Sequence, residues 1–224
     1  MKDKKMKNKV IAVLSILVAL SLSGCGTKTE TSAKGSEKQI VRSKDKNILI
    51  VYFAVAENSE VDAISSASVR EVNGEAKGNI RILADTIQRK VGGDFFSIKT
   101  AQDYPGDINP LIDFAAKEQK VNARPELVSH IENLDKYDTI FIGYPNWWYD
   151  LPMPLYSFFE EYDFSGKNII PFNTHNGSGF SSTIETIEKL EPKATVMKGF
   201  TTNQRNILKV EADVDKWIDE MGIK

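Results

Sequence analysis

The pattern of hydrophobic and polar positions from Asn47 onward alternates between short apolar runs and longer stretches of helical period. This alternation is typical of β-α-β units, whose parallel strands form a sheet that helices cover on both faces. We therefore predict a single α/β domain, an αβα sandwich of three layers around a five-stranded parallel sheet. The five runs rich in Val, Ile or Phe are Ile48 to Phe53, Asp94 to Ile98, Thr139 to Gly143, Ile169 to Asn173 and Thr195 to Phe200.

Three segments of this region carry apolar side chains at spacings of three and four, as a helix with one buried face requires. The first and the last of these stripes are Ile80, Leu83, Ala84, Ile87 and Val91, and Val210, Val214, Trp217, Ile218 and Met221. The middle stripe follows Pro152 and Pro154, and proline is tolerated in a first helical turn. We expect all three stripes to be core.

The N-terminal residues have the pattern of an export signal. Five lysines precede an apolar run from Val10 to Leu22, which is shorter than the roughly 20 residues that a membrane-spanning helix needs. The run ends in Leu22-Ser23-Gly24-Cys25, which resembles the lipobox of bacterial lipoproteins, where the cysteine is lipidated. We expect residues 1–25 to be a lipoprotein signal peptide and Cys25 to carry the lipid.

Residues 26–46 are polar and show neither helical nor strand periodicity, so they are expected to form a flexible tether. The folded domain would then span residues 47–224. Cys25 is the only cysteine, which excludes an internal disulfide. This organisation predicts an extracytoplasmic domain that is lipid-anchored to the cell membrane.

Charge is distributed unevenly along the chain, whose net charge is −2. Residues 1–25 hold five Lys and one Asp, and residues 26–46 hold six basic and three acidic residues, so the remainder carries −9. An acidic domain argues against a nucleic-acid partner, because phosphates require clustered Lys and Arg. The spacing of His, Cys, Asp and Glu predicts no metal site.

Two loops that follow predicted strands combine residues suited to a flat polar ligand, and ligands of such sheets bind beyond the carboxyl ends of the strands. Residues 143–150 hold four aromatic side chains, of which one Trp is expected to pack on the following helix. Residues 173–179 offer two glycines and several hydrogen-bonding side chains. His175, within the second loop, is expected to be a hydrogen-bonding residue rather than a catalyst.

The order and spacing of three motifs resemble the flavodoxin-like FMN-binding family over residues 47 to the end. The motifs are Gly143-Tyr144-Pro145-Asn146-Trp147-Trp148, Asp163-Phe164-Ser165-Gly166-Lys167 and Thr174-His175-Asn176-Gly177-Ser178-Gly179. The resemblance implies strand order 2-1-3-4-5, non-covalent FMN and electron transfer through the flavin. It also implies that Pro145, Asn146, Trp147 and Trp148 flank the isoalloxazine ring, and that Thr174, His175, Asn176, Gly177, Ser178 and Gly179 line its polar edge.

The loop after the first strand departs from that family, which commonly has Ser, Thr, Gly and Asn there for the FMN phosphate. This chain instead has a long excursion from Val55 to Lys77. Ser68, Gly78 and Asn79 are the candidate phosphate-binding residues, with Asn79 as a cap of the helix behind it. The alternative is a solvated insertion followed by an ordinary cap.

Three functions are compatible with the sequence: two depend on bound flavin and one does not. The chain is expected to be an FMN-binding electron-transfer flavoprotein, or an NAD(P)H-dependent flavin or quinone reductase, and no catalytic acid or base is assigned. Its partner would be a redox protein or a small molecule of quinone or nicotinamide type. The alternative is a flavin-free surface binding module, because fold alone does not fix function.

Overall fold

The strands of the domain form one parallel sheet and a separate antiparallel hairpin. The computed structural model describes residues 47–59 and 68–223, so the predicted signal peptide, Cys25 and the tether lie outside the described residues. The strands are β1 (Ile48–Tyr52), β2 (Val69–Val72), β3 (Glu75–Gly78), β4 (Asp94–Ser97), β5 (Thr139–Pro145), β6 (Asn168–His175), β7 (Thr195–Val196) and β8 (Phe200–Asn203). The α-helices are α1 (Asn79–Val91), α2 (Ile108–Lys120), α3 (Met153–Glu161), α4 (Thr183–Leu190) and α5 (Glu211–Met221).

The parallel sheet has the order β4-β1-β5-β6, with β7 and β8 both pairing with β6 at the edge. This confirms the predicted 2-1-3-4-5 arrangement, but the predicted fifth strand is two short strands. Two residues of β6 lie between its last pair with β7 and its first pair with β8, whereas three residues of the edge chain lie between the same pairs. Pro171 lies in this interval, and proline has no N–H for a ladder bond, so the edge strand is interrupted there.

Each face of the sheet carries its own core, which completes the three predicted layers. Leu49 and Val51 pack on one face with residues of α2, α3 and α4. Ile48 and Ile50 pack on the other face with the predicted stripes of α1 and α5. Successive residues of a strand point to opposite faces, so β1, buried along its whole length, serves both cores. The fold is that of a flavodoxin-like α/β protein.

The β2–β3 hairpin and α2 were not predicted. The hairpin turns at Asn73 and Gly74, whose φ values of 55° and 82° suit a two-residue turn with both central residues left-handed. The segment treated as a long excursion is therefore partly a hairpin that leads into α1. No helix among residues 47–59 and 68–223 is long and apolar enough to cross a membrane.

Candidate functional site

A cavity of about 650 Å³ opens at the carboxyl ends of β5 and β6, where ligands of open α/β sheets bind. Its wall has three parts: the loop after β5, the loop after β6, and one face of α2. Ser68 and Gln204 complete the lining. The volume lies within the usual range of small-molecule sites, which is about 300 to 1,000 Å³.

The loop after β5 places its two tryptophans in different surroundings. Trp147 packs into the core, with its ring centroid 5.6 Å from that of Phe53 and 5.7 Å from that of Tyr104. Trp147 also packs against a core cluster that includes residues of α3, the helix that follows the loop. Trp148 is 48% exposed, and its indole N–H donates to the carbonyl of Ile112 at 3.1 Å. Trp147 is thus a packed part of the cavity wall, and Trp148 is a solvent-exposed part.

The same loop contains a strained turn. The backbone groups of Trp147 and Asp150 exchange hydrogen bonds of 3.1 and 3.0 Å, and the residues between them are left-handed, with φ of 49° at Trp148 and 67° at Tyr149. Bulky side chains rarely adopt this conformation, which costs on the order of 1 to 3 kcal/mol and is enriched at functional sites. The turn holds both aromatic side chains at the mouth of the cavity.

Side-chain amides connect the loop after β5 to the loop after β6. The Nδ2 atom of Asn146 donates to the carbonyls of Gly179 and Phe180 at 2.9 and 3.2 Å. Asn173, which is fully buried, donates to the same carbonyl of Gly179 at 3.2 Å. Gly179 therefore acts behind the cavity as the shared acceptor, rather than as a lining residue.

His175 lines the cavity and has a defined tautomer. The backbone N–H of Gly177 donates to its Nδ1 at 2.8 Å, which places the proton of the neutral ring on Nε2. Burial lowers the pKa of His175 below its ordinary value, so the ring is neutral at pH 7. Its hydrogen bond agrees with the expectation of a hydrogen-bonding residue.

The third wall of the cavity is apolar and comes from α2. Its side chains recur at helical spacing, and the two nearest the mouth, Ile108 and Ile112, are 49% and 41% exposed. Sequence reasoning missed this wall because it did not assign α2, although the spacing of three and four carried the signal. The residues are Ile108, Leu111, Ile112 and Ala115.

The predicted phosphate residues meet at the start of α1. Gly78 occupies the N-cap position and Asn79 is the first helical residue, so the expectation that Asn79 caps the helix was wrong. The backbone N–H of Asn79 donates to the carbonyl of Ser68 at 2.7 Å, and Ser68 itself lines the cavity. Asn79 is fully buried, yet both polar atoms of its side chain have no hydrogen-bond partner among the described residues.

A network around Glu57 fixes the short helical turn Val55–Glu57 that follows β1. Its carboxylate accepts from the hydroxyls of Tyr52 and Ser97 and from the ammonium of Lys99. Burial opposes ionisation of Glu57, but these bonds outweigh it and lower the pKa of the carboxyl below its ordinary value. A carboxylate therefore fixes the segment that directly follows β1.

The cavity thus brings together most of the residues that the sequence singled out. The exceptions are Gly78, Asn79 and Gly179, which lie outside its lining. No cluster of His, Cys, Asp and Glu suited to a metal ion occurs within the described part of the chain. The lining residues predicted from the sequence are Ser68, Pro145, Asn146, Trp147, Trp148, Thr174, His175, Asn176, Gly177 and Ser178.

Comparison with known proteins places the fold and the cavity in context. The sequence model of the flavodoxin family matches residues 72–221. A candidate flavoprotein from Bacteroides eggerthii is 27% identical with a TM-score of 0.59, over 80% of this chain and 100% of that one. A second, from Bacteroides uniformis, is 26% identical with a TM-score of 0.59, over 79% and 99%. The structure of a Lactobacillus acidophilus flavoprotein in complex with FMN, 18% identical with a TM-score of 0.54 over 77% and 99%, shares the fold.

Proposed function

The chain belongs to the flavodoxin family, and from this premise we propose that it is an FMN-binding electron-transfer flavoprotein. The observation that carries the proposal is the cavity at the carboxyl ends of β5 and β6, which joins an aromatic loop, a polar loop and an apolar helix face. A planar ring with one polar edge matches these three walls in size and chemistry. Its phosphate would lie toward the start of α1.

The isoalloxazine ring of FMN fits the walls of the cavity. Trp147 and Trp148 would flank it, and the face of α2 would cover its apolar side. The loop from Thr174 to Ser178 would supply hydrogen bonds to the polar edge, including the Nε2–H of His175. FMN, when bound, supplies the redox chemistry, since it accepts and releases electrons where the protein's own side chains do not. The protein's part is to orient the ring and to exclude water from it.

The start of α1 fits the phosphate for a separate reason. The side-chain amide of Asn79 is buried and has no hydrogen-bond partner in the part of the chain that the structure describes. A buried polar group without a hydrogen bond costs about 1 to 3 kcal/mol. A phosphate oxygen would accept from this amide, and the helix N-terminus favours negative charge. Ser68, whose carbonyl accepts from the N–H of Asn79, connects this position to the cavity lining.

A second candidate function is an NAD(P)H-dependent flavin or quinone reductase. The mouth of the cavity is flanked by four exposed apolar side chains, Ile108, Ile112, Trp148 and Tyr149. Such a mouth would admit a flat second substrate over the flavin. A carrier would instead exchange electrons with a redox protein through the exposed ring edge. Turnover of NADH or NADPH with a soluble quinone distinguishes the two, because a carrier turns over slowly without its protein partner.

The predicted location outside the cytoplasmic membrane rests on the lipobox-like sequence that ends at Cys25. Two acyl chains on the modified cysteine would give stable anchoring, which one chain does not. Expression of the full chain in a lipoprotein-processing bacterium should place it in the membrane fraction with a covalent lipid. Cys25→Ser should release it from that fraction, and equal membrane retention of both proteins would overturn the proposal.

Binding of FMN to the purified protein tests the principal proposal. We expect saturation near one equivalent, with quenching of tryptophan fluorescence and a shifted flavin absorption band. Trp148→Ala should weaken FMN binding about tenfold, because stacking on an aromatic ring contributes about 1 to 3 kcal/mol. Val128→Ala, which removes an exposed side chain outside the cavity lining, should leave the affinity unchanged. A protein that neither retains nor binds FMN would favour the flavin-free binding module.

A further inference from the structure

A buried carboxyl group lies behind the aromatic wall of the cavity. Glu118 is on α2, on the same buried face as the lining residues Leu111 and Ala115, and is only 7% exposed. Charged side chains are almost never this buried unless they are paired with opposite charge or bound to metal. Glu118 therefore requires an explanation beyond packing.

The hydrogen-bond donors to Glu118 are neutral groups. The hydroxyl of Tyr104 lies 3.0 Å from both carboxyl oxygens, and the amide of Gln102 donates to Oε1 at 2.6 Å. Among residues 47–59 and 68–223, no Lys, Arg or His forms an ion pair with Glu118. When ionised, Glu118 thus carries a negative charge that no cationic side chain of the described residues neutralises.

Tyr104 connects this charge to the cavity. It is 2% exposed, and its ring centroid lies 5.7 Å from that of Trp147, a lining residue. Burial, with the charge of Glu118 as a second cause, raises the pKa of Tyr104 above its ordinary value, so its hydroxyl remains a donor. The side chain of Tyr104 thus lies between the carboxyl group of Glu118 and the ring of Trp147 in the cavity wall.

We propose that Glu118 acts on the flavin through its negative charge, which makes the site bind oxidised FMN more tightly than reduced FMN. Tyr104 holds the Glu118 carboxylate in place. This rests on the proposed function, since it assigns a role in the same site. Reduction adds electron density to the ring, and a nearby negative charge in a low-dielectric interior opposes that change. Tyr104 acts on the same charge, because its hydroxyl stabilises the ionised carboxylate.

The test compares dissociation constants for oxidised FMN and for dithionite-reduced FMN, measured anaerobically at one mildly alkaline pH on wild-type protein and variants. Glu118→Gln keeps the shape and an acceptor for Tyr104 but removes the charge. It should tighten binding of reduced relative to oxidised FMN by about threefold to tenfold, the range that one charge produces across a protein interior. Glu160→Gln removes an exposed charge of α3 and should leave the ratio unchanged.

A second variant tests whether the change in the ratio of dissociation constants arises from the charge of Glu118 or from a general disturbance of the cavity wall. Tyr104→Phe should shift the ratio in the same direction and by less, and it should add nothing in the Glu118→Gln background. Tyr137→Phe is its control, because the Tyr137 hydroxyl donates to Asp94 near the opposite end of the strands.

The outcomes distinguish the two proposals. Failure of the wild-type protein to bind oxidised FMN would overturn the proposed function itself. Wild-type protein that binds FMN, with equal ratios in wild type and Glu118→Gln, would overturn only the role of Glu118. Additive shifts from Tyr104→Phe and Glu118→Gln would also overturn it, because the two residues would then act separately.

Discussion

Asn79 is the residue whose environment is least explained by the protein alone. It is fully buried at the first position of α1, and its side-chain amide has no partner among the described residues. Native proteins leave few such groups unsatisfied, and the exceptions commonly mark a function. An anion at this helix N-terminus would give the amide a partner.

We therefore predict that Asn79→Ala weakens binding of FMN at least about tenfold but leaves binding of riboflavin, which lacks the phosphate, unchanged. A hydrogen bond to a charged group contributes about 1.5 to 3 kcal/mol, which sets the expected size. The stability of the unliganded protein should not fall, because the side chain has no hydrogen bond to lose within residues 47–59 and 68–223. Isothermal titration with both ligands checks this, with Asn168→Ala at the opposite end of β6 as the control. Equal losses for FMN and riboflavin would contradict it.

At the scale of single residues, the sequence predicted which side chains line the cavity better than it predicted their backbone conformation. The aromatic and polar character of the two loops was sufficient to identify most of the cavity lining. The left-handed backbone at Trp148 and Tyr149 was not predictable, because aromatic side chains have no preference for positive φ. That conformation depends on hydrogen bonds from distant residues, such as the bond of 2.6 Å from the Ser182 hydroxyl to the carbonyl of Tyr149.

Gly143 illustrates how neighbouring elements constrain one position. It lies in β5, and a Cβ atom there would overlap the ring of Phe172 in the paired strand β6. The glycine that opens the aromatic motif is thus required by packing between strands. Its φ is not in the left-handed region, so conformational freedom is not the reason.

Gly143→Ala should destabilise the protein by about 3 kcal/mol, since overpacking a rigid core costs about 1 to 3 kcal/mol and a sheet interior yields little. Phe172→Leu should make room for the new methyl group, so the double variant should be more stable than the sum of the two single changes predicts. Urea denaturation of the four proteins measures this. Strict additivity would show that the ring of Phe172 is not the obstacle.

At the scale of elements, the strongly periodic segments were predictable and the irregular ones were not. The strands and the helices α1, α3 and α5 follow from period and composition. The hairpin carried a readable signal in Asn73-Gly74, but its strands are short and mostly polar. The split of the fifth strand depends on Pro171 in the neighbouring strand, which no local pattern reveals.

At the scale of the whole molecule, the acidic domain has a pH dependence that can be assigned to a particular group. Burial, together with the nearby charge of Asp163, raises the pKa of Glu191 to about 7. In the unfolded chain the same carboxyl ionises near its ordinary pKa of about 4.5. Its contribution to stability is therefore fully present below pH 4.5 and is lost as the pH rises through 7.

Glu191→Gln should remove this dependence. The free energy of unfolding of the variant relative to wild type should increase by on the order of 1 kcal/mol between pH 4.5 and 8, a value reduced for the partial exposure of the side chain. Denaturation at several pH values checks it, with Glu188→Gln on the exposed face of α4 as the control. Parallel pH profiles for wild type and Glu191→Gln would contradict the assignment.

The whole-molecule topology was the part of the fold best predicted from the sequence. Five strands with right-handed crossovers predict an open doubly wound sheet, and the resemblance to the flavodoxin-like family implied the strand order. The cavity could be placed at the correct sheet edge for the same reason. The apolar wall on α2 was missed although its spacing carried a helical signal. The position of Glu118 behind the wall could not be predicted, since it depends on which helix face meets the loop after β5.

Anaerobic reduction of the FMN-loaded protein tests the central claim most directly. The full chain would be saturated with FMN, freed of excess ligand, titrated with dithionite and followed by visible absorption, and then exposed to a soluble electron acceptor. The proposed function predicts that about one equivalent of protein-bound flavin bleaches and that its absorption returns when the acceptor is added. Loss of FMN from the protein on gel filtration, or bound flavin that dithionite cannot reduce, would contradict it.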